Sequence, residues 1–137
     1  MKRSTLLIAF MAALLCQSIN AWSQQKIALL VGIGRYEDTR SWKNLSSPND
    51  LKYLNDALLQ QGFIAENIQT LKEEAATYKA ILEALVDLAD KSNKGDIVYF
   101  HFSGHGQQIE DDNGDEADGY DEALVPYNAR GKFDPVN

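Results

Sequence analysis

Cysteine is nearly missing from these 137 residues: Cys16 is the only one. From Gln24 onward the sequence has no disulfide of its own, no Cys-based zinc site and no thiol nucleophile. Positive charge is scarce too, with 13 Lys and Arg against 20 Asp and Glu. Phosphate contacts need clustered basic side chains, so the composition argues against a nucleic-acid binder. It suits cations or basic peptides better, and acidity also serves plain solubility. No apolar run reaches the roughly 20 residues that span a bilayer. Internal repeats and Pro- or Gly-rich linkers are absent, which leaves room for one domain.

What is present begins with an export pattern. "MKR" supplies positive charge, residues 6–15 are unbroken apolar, and "NAWSQQ" follows. That order of regions predicts a secretory signal over residues 1–23, with Ala21 and Ser23 at the small positions before a cut at Gln24. A retained membrane helix and a lipoprotein signal built on Cys16 are the alternatives. Leu15 stands against the second, because a small residue is wanted there. Once the signal is removed, Lys2 and Arg3 go with it, and 11 basic residues face 20 acidic ones, a net of −9. The protein is then expected in the periplasm or outside the cell, with no stable membrane association.

Residues 24–137 read as alternating strands and helices. "KIALLVGIG", 26–34, is a continuous apolar run, the mark of a strand buried on both faces. Leu51, Leu54 and Leu58 form one helical stripe, with Ser47 or Asn49 as caps and Gly62 at the end. A short strand is predicted over 68–71. Thr77 opens a second helix, whose stripe is Ile81, Leu85 and Leu88, widened by Leu82 and Ala89. "IVYFHFS" is a third strand, and "ALVP", 123–126, a fourth. This β-α-β-α-β order predicts an α/β domain with a mostly parallel sheet. Ligands then bind beyond the carboxyl ends of the strands.

His105 occupies that edge, in "SGHG". The flanking glycines, Gly104 and Gly106, are expected to let the backbone turn sharply and come close to a ligand. An imidazole titrates near neutrality and suits proton transfer. His101 precedes it by four residues, but strand geometry keeps the two rings apart, so His101 reads as a satisfied core histidine rather than a metal ligand. Beyond lies "EDDNGDEADGYDE", in which eight of thirteen residues are acidic. Asp111, Asn113, Asp115 and Glu122 fit positions of an EF-hand loop, but Glu116 stands where glycine belongs and strands flank the loop. A looser Ca²⁺ site and a solvated charged loop both remain open.

Three blocks in this order, "ALLVGIGRY", "LSSPNDLKYLNDAL" and "YFHFSGHGQQIEDDNGDEADGYDEALVPYN", resemble the first half of the metacaspase catalytic domain. Metacaspases are caspase-like cysteine peptidases. The resemblance covers residues 26–137, and its third block is the most specific. One departure is Gly34-Arg35-Tyr36, where the family often has Asn-Lys-Tyr. The resemblance implies a caspase-like three-layer α/β fold with a mostly parallel central sheet, here cut before its last strands. It implies that His105 is the catalytic histidine and that the Gly106 N–H binds the oxyanion. Asp50 and Ser103 would line a pocket for a basic P1 side chain. Asp121 would help bind Ca²⁺, an activator in several members, with its partner ligands at or beyond Asn137; the chemistry itself needs no cofactor.

The family's nucleophile is a cysteine, expected about 50 residues after the histidine and so beyond residue 137. The expected function is an exported cysteine endopeptidase cutting protein or peptide substrates after Arg or Lys, inactive as this chain alone. The alternative is an inactive fragment or pseudopeptidase that binds Ca²⁺ or basic peptides.

Overall fold

In the computed structural model, residues 24–131 are described. The segment read as a signal, 1–23, and residues 132–137 lie outside them. The element order is β1 (Lys26–Gly32), α1 (Pro48–Gln60), a 3₁₀ turn (Ala65–Asn67), β2 (Ile68–Lys72) and a second 3₁₀ turn (Glu73–Ala75). α2 (Tyr78–Lys91), β3 (Ile97–Ser103), β4 (Gly106–Glu110) and β5 (Tyr120–Leu124) follow.

β1 sits in the middle of a parallel sheet of order β2-β1-β3. A central strand must bury both faces, which is why its sequence is apolar without alternation. Ala28 and Leu30 point toward α1, where they meet Leu51, Leu58 and Phe63. Ile27, Leu29 and Val31 point to the other side, against Ile81, Ala84 and Leu88 of α2. Helix, sheet and helix thus make three layers. Leu29, Leu30 and Val31 have no exposure, and each such side chain contributes about 1.5–3 kcal/mol by leaving water.

The helix ends follow local chemistry. The Thr77 hydroxyl accepts the Ala80 N–H (3.2 Å) and caps α2 as expected. Gly62 adopts φ +83° just past α1, the left-handed stop that glycine favours. Ser47 does flank α1, but its hydroxyl makes no cap, and Asn49 lies inside the helix; Pro48 at the first position instead sets the start. Leu82 and Ala89 do not widen the α2 stripe. They are exposed while Ala84 is buried, because a residue one step from Ile81 or Leu88 is rotated about 100° off the buried face.

The expected fourth strand is also different. It runs over Tyr120–Leu124 and pairs antiparallel with β4, outside the parallel sheet. The acidic segment between them is a hairpin connection, too short for the crossover a parallel partner needs. Val125, directly after β5, is 1% exposed and packs into the α2-side core, which anchors the hairpin. Among the described residues, no strand pairs with the outer edge of β3, where Ile97, Val98 and Phe100 are exposed.

One carboxylate ties the loop after β1 to the end of the described chain. Asp38 accepts hydrogen bonds from the Ser41 hydroxyl (2.7 Å) and the N–H groups of Arg40 (3.1 Å) and Gly131 (3.1 Å). The Ser41 hydroxyl, then the Gly131 N–H, hold its pKa down from 3.8 to about 2. A carboxyl whose folded pKa is depressed stabilises the fold above its unfolded pKa and stops doing so as pH falls through the folded one. Amide protection at Gly131 should therefore fall between pH 3.8 and about 2, and Asp38→Asn should abolish that step. Hydrogen exchange followed by NMR checks it; a Gly131 amide indifferent to this pH range would contradict the clamp.

Candidate active site

The carboxyl end of the sheet is drawn together at one backbone contact: the Ile33 N–H donates to the Ser103 carbonyl (2.8 Å). This fixes the exits of β1 and β3 side by side. Asp50 in the first turn of α1 reaches the same rim, and the Ser103 hydroxyl donates to its Oδ2 (3.3 Å). The two residues assigned to one pocket wall are thus brought together, with Asp50 exposed to solvent.

His105 is held from three sides. Its backbone N–H donates to the Tyr36 hydroxyl (2.7 Å). Its ring packs against those of Tyr36 (centroids 5.2 Å) and Trp42 (5.5 Å), which also touch each other (5.9 Å) and are almost fully buried. Its Nε2 is 2.8 Å from the Lys43 carbonyl oxygen. A carbonyl can only accept, so Nε2 carries the proton and Nδ1 is left as the basic nitrogen. Burial pushes the Tyr36 phenol up; the His105 N–H partly offsets this, and the Glu73 charge adds to the rise. The hydroxyl therefore stays protonated at neutral pH.

The glycines serve other ends than a sharp turn. Neither Gly104 nor Gly106 has a left-handed φ. At Gly104 a Cβ would lie 2.8 Å from the Tyr36 hydroxyl and 2.9 Å from the Phe102 ring. Its glycine lets the aromatic support pass directly beneath the histidine turn. At Gly106 a Cβ would meet only the Ala123 carbonyl, at 3.6 Å. The Val125 N–H bonds to the His105 carbonyl and the Asp111 N–H to the Gly119 carbonyl at the two ends of the hairpin. Antiparallel bonds alternate, so every second residue from His105 faces β5, and Gly106 directs its N–H to the opposite edge. A donor placed there is open to an incoming oxygen.

His101 differs from expectation. It lies on β3 beside Leu30, and its Nε2 is enclosed without a hydrogen-bond partner among the described residues. The residue as a whole is only partly buried, and that nitrogen is not satisfied. Asp121 lies farther along the hairpin, opposite Ile109. The hairpin brings it together with Asp111 and Asp115, one oxygen of each falling within 4.8 Å of the others. Burial first, then the charges of Asp111 and Asp115, push the Asp121 carboxyl up. Three groups that hold His105 do not stand out in the sequence: Tyr36, Trp42 and the Lys43 carbonyl. Two aromatic residues inside a polar loop were the visible signal for the first two.

Comparison with known proteins points to one family. The family model described as "Metacaspase, peptidase C14 domain" matches residues 26–133. Metacaspase-3 of Arabidopsis thaliana is 38% identical over 124 residues, covering 82% of this chain and 34% of that protein. Metacaspase-1 of Candida albicans is 37% identical over 116 residues, covering 76% of this chain and 25% of its own length. The chain thus spans about a quarter to a third of these relatives. The crystal structure of protein GSU0716 from Geobacter sulfurreducens superposes with a TM-score of 0.62 at 29% identity, over 76% of this chain and 40% of that one. The parallel sheet, its two helical layers and the matched sequence together make this chain a member of the metacaspase family of caspase-like cysteine peptidases.

Proposed function

We propose that this chain carries the histidine half of an exported cysteine endopeptidase that cuts proteins or peptides after Arg or Lys. The observation that carries the reading is the His105 imidazole, held at Nε2 by the Lys43 carbonyl beside an outward Gly106 N–H. The nucleophile is a cysteine in a segment following residue 137. His105 Nδ1 takes the thiol proton, and the thiolate attacks the scissile carbonyl carbon. The resulting oxyanion accepts from the Gly106 N–H, the kind of fixed donor that lowers acyl-transfer barriers. His105 then gives its proton to the leaving amine, and water releases the acyl group. Asp50, oriented by Ser103, holds the cationic P1 side chain by a charge-assisted hydrogen bond. Residues 1–23 direct export in this reading.

Calcium is the proposed activator, held by Asp111, Asp115 and Asp121. The donor set fits: three carboxylates give the hard oxygen ligands Ca²⁺ takes, and a cation would relieve the repulsion at Asp121. Bound there, the ion would supply charge and order to the hairpin.

One assay tests the reading. The protein carrying this chain and its downstream cysteine is given peptides with Arg, Lys or Asp before the scissile bond, with and without Ca²⁺. Cleavage after Arg and Lys is expected, and Asp50→Asn should lower it about 10- to 100-fold by removing the charge partner. Equal cleavage after Asp would end the basic-specificity reading. Rates unchanged by Ca²⁺ would remove the ion from it.

A further inference from the structure

Glu73 is the one non-glycine residue with positive φ among the described residues, at +51°. That region is disfavoured for a side-chain-bearing residue and persists only where the surroundings enforce it. Here the enforcing contacts are its own. Glu73 opens the turn after β2, at the same carboxyl end of the sheet as His105. Its Oε2 accepts the N–H groups of Gly34 (3.0 Å) and Arg35 (2.9 Å). Its Oε1 lies 3.8 Å from Arg35 Nε, with the Glu73 side chain only 12% exposed. Two consecutive N–H groups on one carboxylate oxygen fix the peptide planes immediately ahead of Tyr36. Tyr36 then accepts the His105 N–H and packs against its ring.

We propose that Glu73 is a positioning residue for His105: it clasps the chain ahead of Tyr36, and Tyr36 sets the height and tilt of the histidine turn. The strained φ is explained by this task, since the turn must bend back to bring the carboxylate over the exit of β1. A carboxylate reaching across from β2 also couples the third strand-end to a rim otherwise built from β1 and β3. The proposal deepens the reading of His105 as acid and base, and rests on it for its consequence, but its test uses no cleavage.

The full chain, labelled with ¹⁵N, is studied by NMR as wild type, Glu73→Gly, Glu73→Gln and Tyr36→Phe. Glycine accepts the backbone angle without strain, so the Glu73→Gly variant removes the clasp while easing the turn. The expected result is exchange of the His105 amide about tenfold faster, as for one lost charge-assisted contact. The ring should also change from the single Nε2–H tautomer to a mixture, with the amides of Leu29 and Leu30 unaffected. Glu73→Gln, which keeps an accepting oxygen, should restore part of the protection. Tyr36→Phe should expose the His105 amide with the clasp intact. An unchanged His105 in Glu73→Gly, or in Tyr36→Phe, overturns the proposal. Equal acceleration at Leu29, Leu30 and His105 does too, because Glu73 would then support the whole sheet rather than the histidine. Failure of the peptidase reading would appear separately, as absent cleavage by the protein that includes the downstream cysteine, with His105 ordered.

Discussion

In a protein that joins this domain to its nucleophile, His105→Ala is expected to lower kcat/KM by about a hundred- to ten-thousand-fold, the usual range for a lost general acid–base. The reason is specific to the geometry. Nε2 is committed to the Lys43 carbonyl, so Nδ1 is the nitrogen left to take the thiol proton and return it to the amine. His101, the other histidine of this sequence, cannot substitute, because its Nε2 is enclosed on β3. The loss should fall on kcat, since His105 is not part of the Asp50–Ser103 wall. Alkylation of the nucleophile by iodoacetamide gives an independent reading. Its rate near neutral pH should drop in the variant, because the thiolate loses its proton acceptor. Undiminished cleavage by His105→Ala would remove this residue from the chemistry.

Gly104→Ala is expected to destabilise the support beneath the histidine turn. The added Cβ would sit 2.8 Å from the Tyr36 hydroxyl and 2.9 Å from the Phe102 ring. Tyr36 cannot swing away, because it is 2% exposed and its hydroxyl holds the His105 N–H. Overpacking of this kind costs about 1–3 kcal/mol, and each kcal/mol lowers the melting temperature by about 4–8 °C in a domain of this size. Gly106→Ala is the control. Its Cβ would meet ordinary contact at 3.6 Å, so its midpoint should stay near wild type. Circular dichroism melts decide between them. Tyr36→Phe removes the atom that clashes, so Gly104→Ala should cost less in that background, a coupling a double-mutant cycle reads directly. Equal costs in both backgrounds would place the conflict at Phe102 instead.

These predictions draw unequally on what the sequence shows. The central strand was legible because a strand covered on both sides has no polar face, and residues 26–34 show none. The helices were legible from leucines at helical spacing and from Thr77 and Gly62 at their ends. The small hairpin was not. β4 reads as Gly-Gln-Gln-Ile-Glu, and β5 as Tyr-Asp-Glu-Ala-Leu, with little apolar alternation. Their pairing is set by a short turn and by Val125 entering the core, neither of which is a periodic signal.

For the site, the ordered blocks around Asp50, Ser103, His105 and Asp121 carried the family, because their residue types stand at fixed separations along the chain. Sequence alone also placed His105 at a strand exit, since an apolar run ending in Ser-Gly-His-Gly has nowhere else to stop in an α/β sheet. What surrounds that histidine was decided by the tertiary structure. Tyr36, Trp42 and Lys43 lie more than sixty positions before it, and Glu73 about thirty. The first three meet it, and Glu73 reaches the segment ahead of Tyr36, because β1, β2 and β3 run parallel and end on the same rim. Parallel strands bring distant segments together at their carboxyl ends. The contacts made there, a carbonyl on Nε2, a phenol under the turn and a carboxylate across two amides, use backbone atoms and orientations that residue identity does not encode.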